Sequence, residues 1–379
     1  MLLEEFFRGR KHSLMGTDRL KEAMKSSGIK KDYPSVIVVG TNGKGSVSHT
    51  IADVLTVNRL KVGMFTSPHL LNVSERIVVD GEKVDRAVLD ETFKGLLPAV
   101  TRHNLTYFET LFLIALAVFK DAGVDVAVFE AGMGGRLDAC NATRHDVVAV
   151  TRIALDHTQY LGKTVKAIAE EKLAVAHEGA WVVVSENQGV VLEVAHATGA
   201  KVLMFGRDFT AECVNVSFEG TDFLYDGRMV KTKLIGRHQA VNTATALTAA
   251  KVMLEEVFRL PCTVPGLLKP ALKGRFEVLR RTPAVVFDVA HNPNALNAVF
   301  ETARALGIKA SVVFSCMKDK DIVGNLEEVV SYLRFSGHKL FLTEIPSSRG
   351  ASLKTLMAVS QRLGVKPSVV DRIKVEELR

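Results

Sequence analysis

The sequence lacks the raw material for several kinds of protein. Its four cysteines, Cys140, Cys213, Cys262 and Cys316, are scattered and form no CxxC pair. That argues against a disulfide framework or a cysteine zinc site, and fits a reducing cytosol. Aromatic residues make up 7% of the chain, with one tryptophan, and no basic cluster is interleaved with them. A nucleic-acid partner is therefore not expected. The formal net charge of +7 over 379 residues fits an enzyme of anionic substrates equally well. Long apolar runs are missing too. The most apolar, Leu111–Phe119, is too short to span a bilayer and reads as a core helix segment. The start, Met1-Leu2-Leu3-Glu4-Glu5, turns acidic too early for a signal peptide. No internal repeat or low-complexity tract is present. What remains is a globular composition, 47% hydrophobic and 24% charged, long enough for two domains. A cytoplasmic protein without nucleic-acid or membrane partners is expected.

The most telling stretch is Ser35-Val36-Ile37-Val38-Val39-Gly40-Thr41-Asn42-Gly43-Lys44-Gly45-Ser46. A β-branched strand runs into a glycine-rich turn with one lysine, and a helical pattern follows from Val47. Gly40, Gly43 and Gly45 let backbone N–H groups close around oxyanions, and the helix N-terminus adds its dipole. Lys44 supplies a point charge for phosphate, and Ser46 is a candidate Mg²⁺ ligand. The spacing departs from the standard GxxxxGK followed by Ser or Thr, because Gly45 separates Lys44 from Ser46.

Further buried strands are expected at Val62–Phe65, Val126–Phe129, Val147–Thr151, Trp181–Val184 and Lys201–Phe205. Helical patterns such as Thr110–Asp121 and Thr164–Val175 lie between them, and residues 1–34 also read as helical. This alternation predicts an α/β fold with a mainly parallel, doubly wound, P-loop-type sheet, whose ligands sit beyond the carboxyl ends of the strands. Arg76–Val84 reads as a hairpin on Asp80-Gly81. Val214–Leu224 and Arg228–Leu234 read as another, and Gly236–Leu254 as a helix. Pro261, Pro265, Gly266, Pro270 and Gly274 thicken the punctuation and mark a boundary, giving domains at 1–272 and 273–379. The second reads as a smaller α/β domain, with strands at Ala284–Asp288, Ala310–Phe314 and Lys339–Thr343.

The residues after each strand are where chemistry belongs. Thr66-Ser67-Pro68-His69 follows one strand, and Ser67 could equally cap a turn. Glu130 ends another, in the position a Mg²⁺ carboxylate takes in nucleotide-binding sheets, or as a solvated strand end. Asp156-His157 follows a third, and the histidine reads as a ligand or as a structural side chain. Lys172, taken alone, is a helix-surface lysine.

These segments, in order, are GTNGKGS (Gly40–Ser46), TSPHL with NVSERI (Thr66–Ile77), YFE (Tyr107–Glu109) and FEAGMGGRLDACN (Phe129–Asn141). ALDHTQYLGKT (Ala154–Thr164), AIAEEK (Ala167–Lys172), GRHQAVN (Gly236–Asn242), GRFE (Gly274–Glu277) and DVAHNPNA (Asp288–Ala295) complete the set. Together they resemble the folylpolyglutamate synthase/dihydrofolate synthase family of the Mur ligase superfamily. The resemblance implies a Mur ligase-like ATP-binding domain followed by a glutamate-ligase domain. The implied enzyme is a monomer that joins L-glutamate to dihydropteroate or tetrahydrofolate polyglutamates through an acyl phosphate.

By the same resemblance Gly40, Thr41, Asn42, Gly43, Lys44, Gly45 and Ser46 hold the triphosphate. Ser67, Glu130 and His157 are the Mg²⁺ ligands. Lys172 matches a lysine carbamylated in this superfamily, whose new carboxylate supports a second metal, and K⁺ is a further candidate ion. Asn242, Arg275, Asp288 and His291 match ATP-contacting or interdomain residues. Lys44, Lys172, His157 and Glu130 form the implied catalytic set. Two departures stand out. Leu173-Ala174-Val175 replaces the family's alanine-glycine-isoleucine, and the family continues for a few dozen residues past Arg379.

The runner-up in the same chemistry is a Mur ligase that adds an amino acid to a UDP-linked peptidoglycan precursor. The SERI and HNP segments, and a P-loop only some 35 residues in, favour the folate branch. A nucleotide switch or nucleic-acid ATPase would need the standard P-loop and a basic stripe.

Overall fold

The computed structural model describes residues 2–8, 16–186 and 188–371. Residues 9–15, within the stretch read as helical, and residues 372–379 at the chain's end lie outside the described residues. By internal contacts the chain forms two compact units. One comprises Met1–Glu212, Leu224–Val230 and Val241–Ala271; the other comprises Cys213–Phe223, Lys231–Ala240 and Leu272–Arg379.

The first unit is organised by eight strands: β1 (Ser35–Val39), β2 (Val62–Phe65), β3 (Ile77–Val79), β4 (Glu82–Lys83), β5 (Val126–Glu130), β6 (Val147–Val150), β7 (Trp181–Val184) and β8 (Lys201–Met204). They lie in the order β4-β3-β2-β5-β1-β6-β7-β8. The ladders joining β2, β5, β1, β6, β7 and β8 are parallel, and at the edge the β2–β3 and β3–β4 ladders are antiparallel. All five residues of β1 are buried, as are all five of β5. Strands covered on both faces read as unbroken Val/Ile runs, and each such side chain contributes about 1.5–3 kcal/mol when fully buried. The apolar run Leu111–Phe119 lies inside the Tyr107–Ala122 helix and is buried throughout. Its Phe112 meets Phe65 and Phe129 edge-on, with ring centroids 5.6 and 5.2 Å apart. No helix among the described residues is long and apolar enough to cross a membrane.

The Asp80-Gly81 hairpin has both turn residues in the left-handed region (φ 51° and 82°), as a two-residue hairpin turn of that handedness requires. The stretch read as one strand from Val214 to Leu224 is instead two, β9 (Glu212–Ser217) and β10 (Gly220–Tyr225). They belong to a four-stranded sheet with β11 (Arg228–Thr232) and β12 (Leu267–Leu268), in the order β12-β11-β10-β9. The break comes where Gly220 adopts φ 139°, and a Cβ there would lie 2.0 Å from Thr232 O.

The second unit reaches back across the boundary read at 272/273. Val216 and Ile235 pack with Phe276 and Phe300 in its core, and Thr221 Oγ1 donates to Leu234 O. Its parallel sheet holds β15 (Val312–Phe314), β16 (Leu340–Leu342) and β17 (Ser368–Val369). The strand read at Ala284–Asp288 lies outside that sheet. It is β14 (Ala284–Phe287), paired antiparallel with β13 (Glu277–Arg281).

Candidate active site

The phosphate loop leaves β1 through a position only glycine can fill. Gly40 has φ 145°, and a Cβ there would sit 1.9 Å from Thr151 Oγ1. Gly43, at φ 92°, is the N-cap of the Lys44–Val57 helix, which carries no side-chain cap. A Cβ on Gly43 would lie 2.6 Å from Asn242 Oδ1, so Asn242 sits against the loop. The loop divides its labour. The N–H groups of Thr41 and Asn42 both donate to Arg152 O, at 2.8 and 3.3 Å. The Thr41 hydroxyl donates to Ala154 O and accepts from Ala154 N. These two residues staple the loop to the segment after β6, which leaves Gly43–Ser46, the first turn, as the part whose N–H groups have no intrahelical acceptor. Lys44 Nζ donates to Gly40 O (3.2 Å) and Thr41 O (3.4 Å). Ser46 Oγ is buried without a hydrogen-bond partner.

The other residues arrive from neighbouring strand ends. In the sheet β2, β5, β1 and β6 lie side by side. Strands spaced about 4.8 Å apart place four such ends within roughly 15 Å. Ser67, after β2, donates its N–H to Glu130 Oε2 at 3.2 Å, and Glu130 is the buried last residue of β5. His157, after β6, is held in the left-handed region at φ 49°. Asp156 Oδ1 accepts its N–H at 2.8 Å. Left-handed backbone at a non-glycine residue is costly and concentrates at functional sites. Lys172 enters from the Val165–Leu173 helix, buried, with Nζ donating to Gly40 O at 2.7 Å. Burial pushes its ammonium down to about 7, and the charge of Lys44 adds to the effect.

In the second unit, Asp288 follows β14 and spends its carboxylate on main chain. Oδ2 accepts from Phe276 N and Oδ1 from Ala290 N, each at 2.7 Å. Burial holds this carboxyl above its ordinary value, against the pull of the two N–H donors and of the Arg275 guanidinium. His291 is exposed, its Nδ1–H donating to Val289 O.

The Mur ligase middle domain matches residues 38–250 of the chain, and the Mur ligase glutamate ligase domain matches residues 274–377. Dihydrofolate synthase/folylpolyglutamate synthase of Escherichia coli K12 is 31% identical over 348 residues, covering 90% of this chain and 81% of that protein. The chain belongs to the folylpolyglutamate/dihydrofolate synthase family of Mur ligases. Solved structures agree. Mycobacterium tuberculosis folylpolyglutamate synthase complexed with ADP superposes with a TM-score of 0.86 at 28% identity, covering 97% of this chain and 87% of that one. A bifunctional folylpolyglutamate synthase/dihydrofolate synthase with Mn, AMPPNP and L-glutamate bound superposes with a TM-score of 0.83 at 31% identity. It covers 100% of this chain and 91% of that one.

A divalent ion suits the residues of this Mur ligase site. Among the described residues no three His, Cys, Asp or Glu side chains converge. The hard oxygen of Glu130, the Ser67 hydroxyl and the orphaned Ser46 Oγ instead match a cation that takes oxygen ligands and shares its shell with phosphate and water. Sequence reasoning did not single out Gly135 and Arg136. Both sit inside the matched FEAGMGGRLDACN block, and in the structure both rest on the end of the Lys172 helix.

Proposed function

We propose that this ATP-dependent glutamate ligase acts on two acceptors, dihydropteroate and reduced folate polyglutamates, through an acyl phosphate. The observation that carries the reading is the convergence of Gly43–Ser46, Ser67, Glu130 and His157 at four adjacent strand ends, with Lys172 reaching Gly40 O from its helix. A carboxylate does not condense with an amine directly, because oxide is a poor leaving group. An acceptor carboxylate oxygen bonds to the γ-phosphorus as the bond to the β–γ bridging oxygen breaks, releasing ADP. The neutral amine of glutamate then bonds to the acyl carbon. Inorganic phosphate departs with the electron pair of the bond from the acyl carbon to its bridging oxygen, and the nitrogen gives up a proton as the amide forms. The protein's share is positioning and charge.

On this reading Lys44 exchanges its loop carbonyls for phosphate oxygens, and the N–H groups of Gly43–Ser46 point at the same anions. Ser67, Glu130 and His157 would hold Mg²⁺, which would neutralise charge on the transferring phosphoryl group. Lys172 carries a carbamate for a second ion. Carbamate formation needs a neutral amine, and a buried lysine with its pKa near neutrality supplies one. Asn242 flanks the phosphate loop. Arg275, Asp288 and His291 are the second unit's nucleotide contacts by the motifs they match. The protein works in the cytosol as a monomer.

The test supplies ATP, Mg²⁺ and labelled glutamate with either dihydropteroate or tetrahydrofolate. Label should enter both acceptors. Incorporation into one alone removes bifunctionality, and incorporation into neither overturns the assignment.

A further inference from the structure

The loop after β5 is built as a rigid clamp. Asp138 accepts from Met133 N and Cys140 N at 2.9 Å each, Asp138 N donates to Gly135 O, and Asn141 Nδ2 donates to Arg136 O. The clamp closes on the carboxyl end of the Val165–Leu173 helix, where terminal carbonyls need outside donors. Arg136 N donates to Glu171 O at 2.9 Å and Arg136 Nη2 to Glu170 O at 3.4 Å, while Nε pairs with Glu171 Oε2 at 3.2 Å. Gly135 lies so close that a Cβ would stand 2.4 Å from Lys172 O and 2.8 Å from Glu171 O. The residue whose carbonyl is touched is the one whose Nζ reaches Gly40 O at 2.7 Å.

We propose that Gly135 and Arg136 are positioning residues, which seat the end of this helix so that Lys172 Nζ stays on the phosphate loop. They tie the strand that ends in Glu130 to the helix that carries Lys172. A lysine has four rotatable bonds, so its tip is only as well placed as its backbone. Misplacement by about 1 Å can cost 10²-fold in rate. The Arg136–Glu171 ion pair is itself weak in stability terms, because the arginine side chain is 58% exposed. Arg136→Ala therefore loosens the seat without unfolding the protein.

The primary readout does not depend on activity. Purified protein without nucleotide, kept in CO2-free buffer so that Lys172 is a free amine, is treated with an amine-acylating reagent, and the rate at Lys172 is followed by peptide mass spectrometry. Wild-type Lys172, buried, should label slowly. Arg136→Ala should label at least about tenfold faster, with a Tm within about 4 °C of wild type. Arg136→Lys should fall between. Gly135→Ala should behave like Arg136→Ala if it folds. In turnover, which rests on the ligase reading above, kcat should drop about 10–100-fold with KM for ATP within about threefold. Lys172 labelling as slowly in Arg136→Ala as in wild type overturns the proposal. So does a raised KM for acceptor or glutamate at unchanged kcat, which would make the guanidinium a substrate contact. A wild-type protein that ligates nothing would sink the functional reading and leave the labelling arms to judge the positioning.

Discussion

The Lys44–Val57 and Pro293–Ala305 helices each follow a strand, and they start in opposite ways. In the first unit the Lys44–Val57 helix opens on Gly43, in the left-handed region, with no side-chain cap. In the second unit the Pro293–Ala305 helix opens on Asn292, whose Oδ1 accepts from Ala295 N at 2.9 Å, with Pro293 filling the first position. Proline has no N–H to leave stranded and asparagine satisfies another, so that terminus is sealed from within. The glycine start has neither device. Its first-turn N–H groups have no side-chain acceptor, the state of a helix start that suits an anion, and a lysine lies beside them. A sealed start contributes stability, whereas an open one gives some up for binding.

The strongest way to break the contrast is to remove the cation from the open start. Lys44→Ala should lower kcat by about 10²–10³-fold, the size expected for loss of a donor aimed at developing charge. Its Tm should stay near that of wild type, since the bonds from Nζ to Gly40 O and Thr41 O are only local. Steady-state turnover with a melting curve decides it, and wild-type turnover would sink the site assignment. Next in size is Glu130→Gln, which should raise the Mg²⁺ concentration for half-maximal activity about 10–100-fold. The amide also keeps an oxygen for Ser67 N, so the fold should persist. An unchanged Mg²⁺ titration would take Glu130 out of the metal's shell.

How much of this was legible in the sequence depends on how local the cause is. Buried parallel strands announce themselves, because both faces are covered and every position must be apolar. All six strands read in the first unit lie within a residue or so of their observed ends. Glu277-Val278-Leu279-Arg280-Arg281 does not alternate cleanly, so β13 went unread, and with it the antiparallel pairing of the strand that was read at Ala284–Asp288. The turn between β9 and β10 hides among β-formers until the approach of Gly220 to Thr232 is seen. The site shows the same divide. Gly40–Ser46 signals phosphate by composition alone. That Lys172 Nζ reaches Gly40 O, or that Thr41 turns its N–H to Arg152, depends on packing between residues more than a hundred apart in the chain. No local pattern carries that.

Acid should test the first unit's scaffold separately from its ligand loop. His145, just before β6, is buried, with Nε2–H donating to Cys140 O at 2.9 Å and Nδ1 accepting from the Ser35 hydroxyl at 3.0 Å. Burial pushes its pKa down to about 3. The unfolded chain takes up this proton near 6.5 and the folded chain only near 3. Between those values the unfolded state binds more protons, so stability falls as pH drops, by about 1.4 kcal/mol per pH unit. His238 in the second unit, lowered to about 4 by burial with the Arg275 charge adding, acts in the same direction over a narrower window. Denaturant midpoints measured from pH 7 to 4.5 should show a shallower slope in His145→Asn. Equal slopes would mean that His145 is not held neutral.

The smallest expected effect bears most directly on the sealed start. Asn292→Ala removes the acceptor for Ala295 N at a residue only 4% exposed. Loss of an N-cap costs about 1 kcal/mol, and Asn292→Asp or Asn292→Ser, which can still accept, should recover most of it. Urea unfolding followed by a probe in the second unit resolves a change of that size, and nucleotide affinity measured alongside should hold. The reverse outcome, unchanged stability with nucleotide binding lost, would make this terminus a ligand site as well. The two helix starts would then differ in which groups face the anion, and no longer in whether any do.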